Sequence, residues 1–166
     1  MLQHAQQPRI VIGEERKLIG RKLKMSLANN KTFELWRAFM PERIKIQNPV
    51  SSELISMRVY KEPLIVEDAN QEFEKWAAVE VFNFDEVPAS MECFTLNPGS
   101  FAVFDYKGLN TDTQIFIYIF KEWLPNSDYQ LDERPQFEIL GNKYKNGNPE
   151  SEEEIWIPIK PKNNRF

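Results

Sequence analysis

Cysteine and histidine are nearly missing from this chain: Cys93 and His4 each stand alone. A lone cysteine excludes an intramolecular disulfide framework and a multi-cysteine metal site. A lone histidine, placed in a polar leader, argues against histidine-ligated zinc and a Ser-His-Asp triad and makes a Cys–His pair an unattractive reading. Cys93 is expected as a small buried hydrophobe in a strand. Glycine is scarce as well, with 6 in the chain, and no glycine-rich phosphate loop occurs. Asp105, Asp112, Asp128 and Asp132 lack the spacing of a calcium loop. No metal and no cofactor are expected. No apolar run reaches membrane-spanning length and the N-terminus has no signal-peptide core, so a cytoplasmic protein without a membrane partner is the simplest reading. A basic stripe is also absent. The formal charge is −4, and nucleic acid is not an expected partner. The one basic run, Arg16-Lys17 through Arg21-Lys22-Lys24, alternates with Leu18, Ile19 and Leu23 and reads as the outer face of a strand.

What is present is apolar and aromatic. Hydrophobic residues make up 42% and aromatics 13% of 166 residues, enough for one cored domain or two small halves sharing a core. Alternation predicts strands over 18–27, 55–60, 76–81, 91–96, 101–106, 137–140 and 154–159. Helical spacing predicts a helix over 33–43 with Leu35, Trp36, Phe39 and Met40 on one face, following a cap at Asn30 or Thr32. A second is predicted over 113–123 with Ile115, Phe116, Ile119, Phe120 and Trp123. The pattern repeats: strand, capped helix, hydrophobic-Pro stop, strand, loop, strand. L-W-R-A-F-M-P (35–41) answers F-K-E-W-L-P (120–125), and W-A-A-V-E-V (76–81) answers E-I-W-I-P-I (154–159). The expected fold is α+β. Two pseudo-symmetric halves, about 18–81 and 101–159, each lay one helix on an antiparallel sheet and meet at a central ligand groove. Residues 1–17 would be an arm, possessing at most an edge strand through Ile10-Val11-Ile12. The domain would end at 160, leaving 161–166 as a tail.

The stretch E-E-E-I-W-I-P-I (152–159) carries the main functional question. Glu154, Trp156 and Pro158 share one strand face, and Ile155, Ile157 and Ile159 the other. If the isoleucines pack under the helix, Glu154 and Trp156 either face the groove or lie in open solvent. A carboxylate beside an indole suits a lipophilic cation. It also suits a general acid or base, because apolar burial raises a carboxyl pKa. Glu80, in V-E-V of the first half, is the second carboxylate candidate by symmetry. Its alternative is a charge on a solvent face. Helix aromatics are mostly packing residues, with Trp36 and Phe116 the two expected to reach the seam. Tyr118 and Tyr106 are further hydroxyl candidates.

Taken together, W-A-A-V-E-V, P-G-S-F-A-V-F-D-Y-K-G, E-W-L-P-N-S-D-Y, P-Q-F-E-I-L and E-E-I-W-I-P-I, in this order and spacing, resemble the GyrI-like small-molecule-binding domain. This is the effector-binding domain of AraC-type and MerR-type transcription regulators, here in a stand-alone bacterial form. The resemblance spans about 18–160. It implies two pseudo-symmetric halves around a groove that accepts aromatic or cationic small molecules. It implies a groove glutamate before the I-P pair, matched to Glu154, and an aromatic at the end of the I-S-M-R-V-Y strand, matched to Tyr60. Some members are similar to hydrolases of reactive small molecules, and one protects DNA gyrase. No helix-turn-helix flanks the domain, so direct transcriptional activation is not expected. Three functions remain open: a binding module for hydrophobic cations, a hydrolase in which Glu154 activates water, and a partner of a regulator or of gyrase without ligand chemistry.

Overall fold

The computed structural model describes residues 6–163; His4 lies outside them. The strands are β1 (Arg9–Gly13), β2 (Arg16–Met25), β3 (Leu54–Val59), β4 (Phe73–Val81), β5 (Glu92–Leu96), β6 (Gly99–Lys107), β7 (Tyr129–Leu131), β8 (Gln136–Leu140) and β9 (Glu152–Pro161). Helix α1 spans Thr32–Glu42 and runs into a tight turn, Arg43–Lys45. Helix α2 spans Gln114–Tyr118, widens into a π-helical turn over Ile119–Trp123, and closes in α3, Leu124–Asn126. The strands form one antiparallel sheet in the order β1-β6-β9-β8-β3-β4-β2-β5, with β7 added to β9. The fold is α+β.

Duplication explains this order. β2-α1-β3-β4 and β6-α2-β8-β9 are equivalent units, and β3 pairs with β8 at the seam. Each unit also borrows an edge. β5 precedes the second unit in sequence but pairs with β2 of the first, whereas β1 precedes the first unit and pairs with β6 of the second. The Arg9–Gly13 segment, expected within an arm, is therefore a strand of the sheet, and Arg16 and Lys17 already belong to β2.

Strand alternation splits the side chains into three cores. Ala77, Ser56, Glu138 and Ile155 pair in one row across β4-β3-β8-β9 and so share one face. On that face α1 buries Leu35 and Phe39 against Ile19, Val79 and Val81. On the same face α2 and its π turn bury Ile115, Ile119 and Trp123 against Phe104, Ile155 and Ile157. On the opposite face Leu18, Met57, Trp76, Phe101 and Phe137 form a core that crosses the seam. Each fully buried large side chain contributes roughly 1.5–3 kcal/mol. Pro41 lies inside the last turn of α1, where it removes one i→i−4 hydrogen bond and is followed by only one more helical residue, Glu42, so the helix ends there. Cys93 is exposed rather than buried, because β5 is an edge strand whose buried residue is Leu96.

Candidate functional site

Ser56 and Glu138 are equivalent in the two halves and pair directly with each other, so the pseudo-twofold axis runs between them. One strand outward on each side, Trp76–Val81 of β4 corresponds to Glu154–Ile159 of β9. The residues just before those stretches, Lys75 and Glu153, are therefore symmetry mates. Both point to the helix face, in phase with Ala77 and Ile155. There they border a cleft of about 320 Å³ that opens at the axis on the side of Leu54 and Leu140. Ser56 and Glu138 are on its floor, and Trp36 and Met40 of α1 form one wall with Leu54. Leu140 and Tyr144 form the other wall.

Tyr144 is delivered by the loop between β8 and β9, which is held by its own hydrogen bonds. The buried Ser151 hydroxyl accepts from the Lys145 amide at 2.7 Å, and the Glu152 amide donates to the Lys143 carbonyl at 2.9 Å. The Asn110 side chain donates to Asn146 at 2.9 Å and accepts from the Gly147 amide at 2.8 Å. These bonds tie the loop to the segment entering α2.

The cleft is electrostatically tense. Burial, with the neighbouring Glu138 carboxylate, pushes the Glu153 carboxyl up to about 8. Two carboxylates side by side in a half-dry site cannot both ionise cheaply. Burial also lowers the Lys75 ammonium to about 8; the Arg58 charge adds to this, while Glu138 and Glu153 oppose it. Lys75 is 9% exposed and donates to the Thr32 hydroxyl at 3.1 Å. The Tyr144 phenol is raised by burial and by the same two carboxylates. Among the described residues no group of three or more His, Cys, Asp or Glu could hold a metal ion, and no helix is long and apolar enough to cross a membrane.

The sequence profile of the integron-associated effector binding proteins, Cass2, matches residues 9–159. This chain belongs to the Cass2 family. The GyrI-like identification thus holds. No curated protein matches the sequence. Three solved structures share the fold. SAV2435 bound to tetraphenylphosphonium is 17% identical, with a TM-score of 0.67 and 93% of this chain and 94% of that one covered. The integron cassette protein VCH_CASS2 from Vibrio cholerae is 14% identical, at 0.68 over 93% and 97%. The C-terminal domain of EcmrR is 12% identical, at 0.69 over 93% and 98%.

Within this Cass2-family fold the expected site residues are dispersed. Trp36 lines the seam cleft. Glu154 does not. The isoleucines do pack under α2, but the cleft lies on that same face, so Glu154 and Trp156 point the opposite way. Glu154 pairs with Arg9 at 3.3 Å and accepts from the Trp156 indole at 2.9 Å. It borders a separate hollow with Asp105 and Lys107. Trp156 stacks on Phe137 at 5.2 Å, with the Arg16 guanidinium 5.0 Å from its ring. Glu80 is on that face too, paired with Arg16 at 2.7 Å. Tyr60 packs on Phe73 at 5.2 Å in the α1 core. Phe116 reaches the seam but is covered by Arg58, 5.7 Å from its ring. Tyr118 is buried beneath α2, and its hydroxyl donates to the Gln6 carbonyl at 3.0 Å. Tyr106 donates to the Leu109 carbonyl at 2.8 Å.

The carboxyl pair, Lys75 and Tyr144 escaped the sequence reading. For two of them a signal existed. Glu153 continues the phase of Ile155, Ile157 and Ile159, and Lys75 that of Ala77, Val79 and Val81. A charge on the apolar phase of a strand marks a place where that face stops being core.

Proposed function

We propose that this protein binds a hydrophobic aromatic cation in the seam cleft, with Glu153 and Glu138 meeting the positive charge and Trp36 and Tyr144 forming the aromatic walls. The observation that carries this reading is the carboxyl pair bordering the cleft at the axis, where burial and the Glu138 carboxylate push the Glu153 carboxyl up to about 8. A bound cation would replace the proton held by Glu153 and relieve the repulsion from Glu138. Indole and phenol faces add cation–π attraction. Family membership supports small-molecule binding, and the tetraphenylphosphonium held by SAV2435 is a cation of this chemical type. The role is sequestering or sensing such compounds, in the cytoplasm.

Titration with tetraphenylphosphonium, followed by tryptophan fluorescence, tests the reading. Glu153→Gln keeps the shape and removes the charge, and is expected to lose roughly ten- to a hundredfold in affinity, the worth of a charged partner of about 1.5–3 kcal/mol. Neutral triphenylphosphine oxide should be affected far less. Equal binding of the cation by variant and wild type would refute the proposal.

A further inference from the structure

A site for a simple cation has no use for Lys75. Its ammonium borders the same cleft as the carboxyl pair, at the position that mirrors Glu153. It is nine-tenths buried, and an ammonium there repels any cation bound on the axis. Nor does it neutralise the carboxylates by contact: among the described residues no ion pair joins Lys75 to an acidic side chain within 4.0 Å. Among the described residues the acceptor it meets is the Thr32 hydroxyl. That hydroxyl also contacts the Met25 sulfur at 3.6 Å, which turns its proton to the thioether and its lone pairs to Lys75. Thr32 thereby fixes the ammonium and occupies one of its three N–H donors. Burying an ammonium is costly, and its remaining N–H donors border the cleft, where an acceptor on a ligand can meet them. Arg58 worsens that cost by its own charge.

We infer that the cleft is built for a bipolar ligand, an aromatic cation that also carries a carboxylate or similar anionic oxygen group, with the cation against Glu138 and Glu153 and the oxygens against Lys75. This rests on the cation reading above and adds the second pole. A purely cationic ligand satisfies one side and is repelled by the other. A zwitterion satisfies both, its anionic oxygens accepting from the N–H donors that Thr32 does not occupy. Lys75 is then the residue that sets specificity between the two classes.

Tetramethylrhodamine, a zwitterion at neutral pH, and its methyl ester, a cation with the same ring system, separate the cases by fluorescence anisotropy. Wild type is expected to prefer the zwitterion. Lys75→Met keeps the stem, removes a buried charge, and should lose about tenfold or more for the zwitterion while holding or improving its affinity for the ester. Lys75→Arg should retain the zwitterion preference. Thermal melts confirm that both variants fold. If Glu153→Gln weakens the ester but Lys75→Met leaves the ratio of the two dyes unchanged, the bipolar inference fails and the cation reading survives. If Glu153→Gln leaves ester binding unchanged, or wild type binds neither dye, both fail.

Discussion

β4 and β9 are the same strand built twice, yet one turns a lysine into the cleft and the other a glutamate. Their helix-facing apolar positions agree: Ala77, Val79 and Val81 in one, Ile155, Ile157 and Ile159 in the other, all buried. The differences gather at the axis and on the far face. Arg58 of β3 corresponds to Leu140 of β8, so one end of the seam is plugged by a guanidinium over Phe73 and Phe116 and the other is lined by an aliphatic chain. Gly20 and Ala78 of the first half correspond to Val103 and Trp156 of the second. The two halves share the frame and differ where they border the seam cleft. A strictly twofold cleft would present the same groups to both ends of a ligand; this one presents Lys75 on one side and Glu153 on the other.

The largest expected effect lies at Gly20. A Cβ there would collide with the Ala77 carbonyl oxygen and stand 2.7 Å from the Ala78 Cα, both backbone atoms of a paired strand that cannot yield. Gly20→Ala should cost about 3 kcal/mol or more, through overpacking and strand displacement. Val103→Ala, at the equivalent position, creates a cavity and should cost roughly 2 kcal/mol. Urea denaturation of both variants checks the ranking. A Gly20→Ala protein as stable as wild type would mean that the first half is not packed more tightly than the second.

Next comes the charge pair at the axis. Glu153 is raised from 4.5 to about 8. Its folded form keeps a proton that the unfolded chain releases, so the stability from neutral Glu153 is complete below about 4.5 and is lost as pH climbs to 8. Lys75 is lowered from 10.5 to about 8, so its contribution is complete above 10.5 and is lost as pH falls to 8. Stability should therefore pass through a minimum near pH 8, with slopes up to about 1.4 kcal/mol per pH unit on either side. Glu153→Gln should flatten the acid limb and Lys75→Met the alkaline limb, each stabilising the protein at its worst pH by on the order of 2 kcal/mol. Denaturant midpoints from pH 5 to 10 read this directly. A profile unchanged by either substitution would break the assignment.

Much of the frame was legible in the sequence because it rests on local periodicity. The alternation of Ile155, Ile157 and Ile159 and the helical spacing of Leu35 and Phe39 required no tertiary knowledge. The exchange of β1 and β5 between halves was not legible, since a strand's choice of partner across the sheet leaves no mark on its own alternation. The sequence expectation put Glu154 at the groove, whereas the residue of β9 that borders the seam cleft is its neighbour Glu153. A period of two makes a single-residue slip a change of face. The expectation set the groove opposite the helices, whereas helices and cleft share a face. Glu138 becomes informative only when β8 is seen to pair with β3. Tyr144, in a stretch rich in Asn, Lys and Gly, depends on the fastening through Ser151.

Arg58 allows a finer cut. Arg58→Leu would make the two ends of the seam alike. The guanidinium is 5.1 Å from the Phe73 ring and 5.7 Å from that of Phe116, so its loss should cost about 1 kcal/mol of cation–π attraction. Its charge is also one cause of the lowered Lys75 pKa, so the same substitution should shift Lys75 upward and move the stability minimum to higher pH. NMR titration of the Lys75 side chain follows that shift. An absent shift would show that Arg58 is too far away, or too well solvated, to be felt, and a downward one would overturn its assigned repulsion of Lys75.

The smallest effect is expected at Glu154, and it separates the two faces of β9. Its carboxylate meets Arg9 at 3.3 Å, with side-chain exposures of 39% and 50% for the two partners. Exposed ion pairs of this kind contribute about 0–1 kcal/mol, because water screens the attraction and ordering two long side chains opposes it. Its second contact, from the Trp156 indole, survives in Glu154→Gln, whose amide oxygen still accepts. The variant should therefore lie within about 0.5 kcal/mol of wild type in stability. Glu154 lies on the face away from the cleft, so tetraphenylphosphonium affinity should change by less than about twofold, against the tenfold or greater loss expected for Glu153→Gln. The pair of neighbouring substitutions is a phase test, with one carboxylate on each side of a single strand. If Glu154→Gln lost the cation and Glu153→Gln did not, the ligand would lie on the face of Trp156 and Arg9, and the seam cleft would not be the binding site.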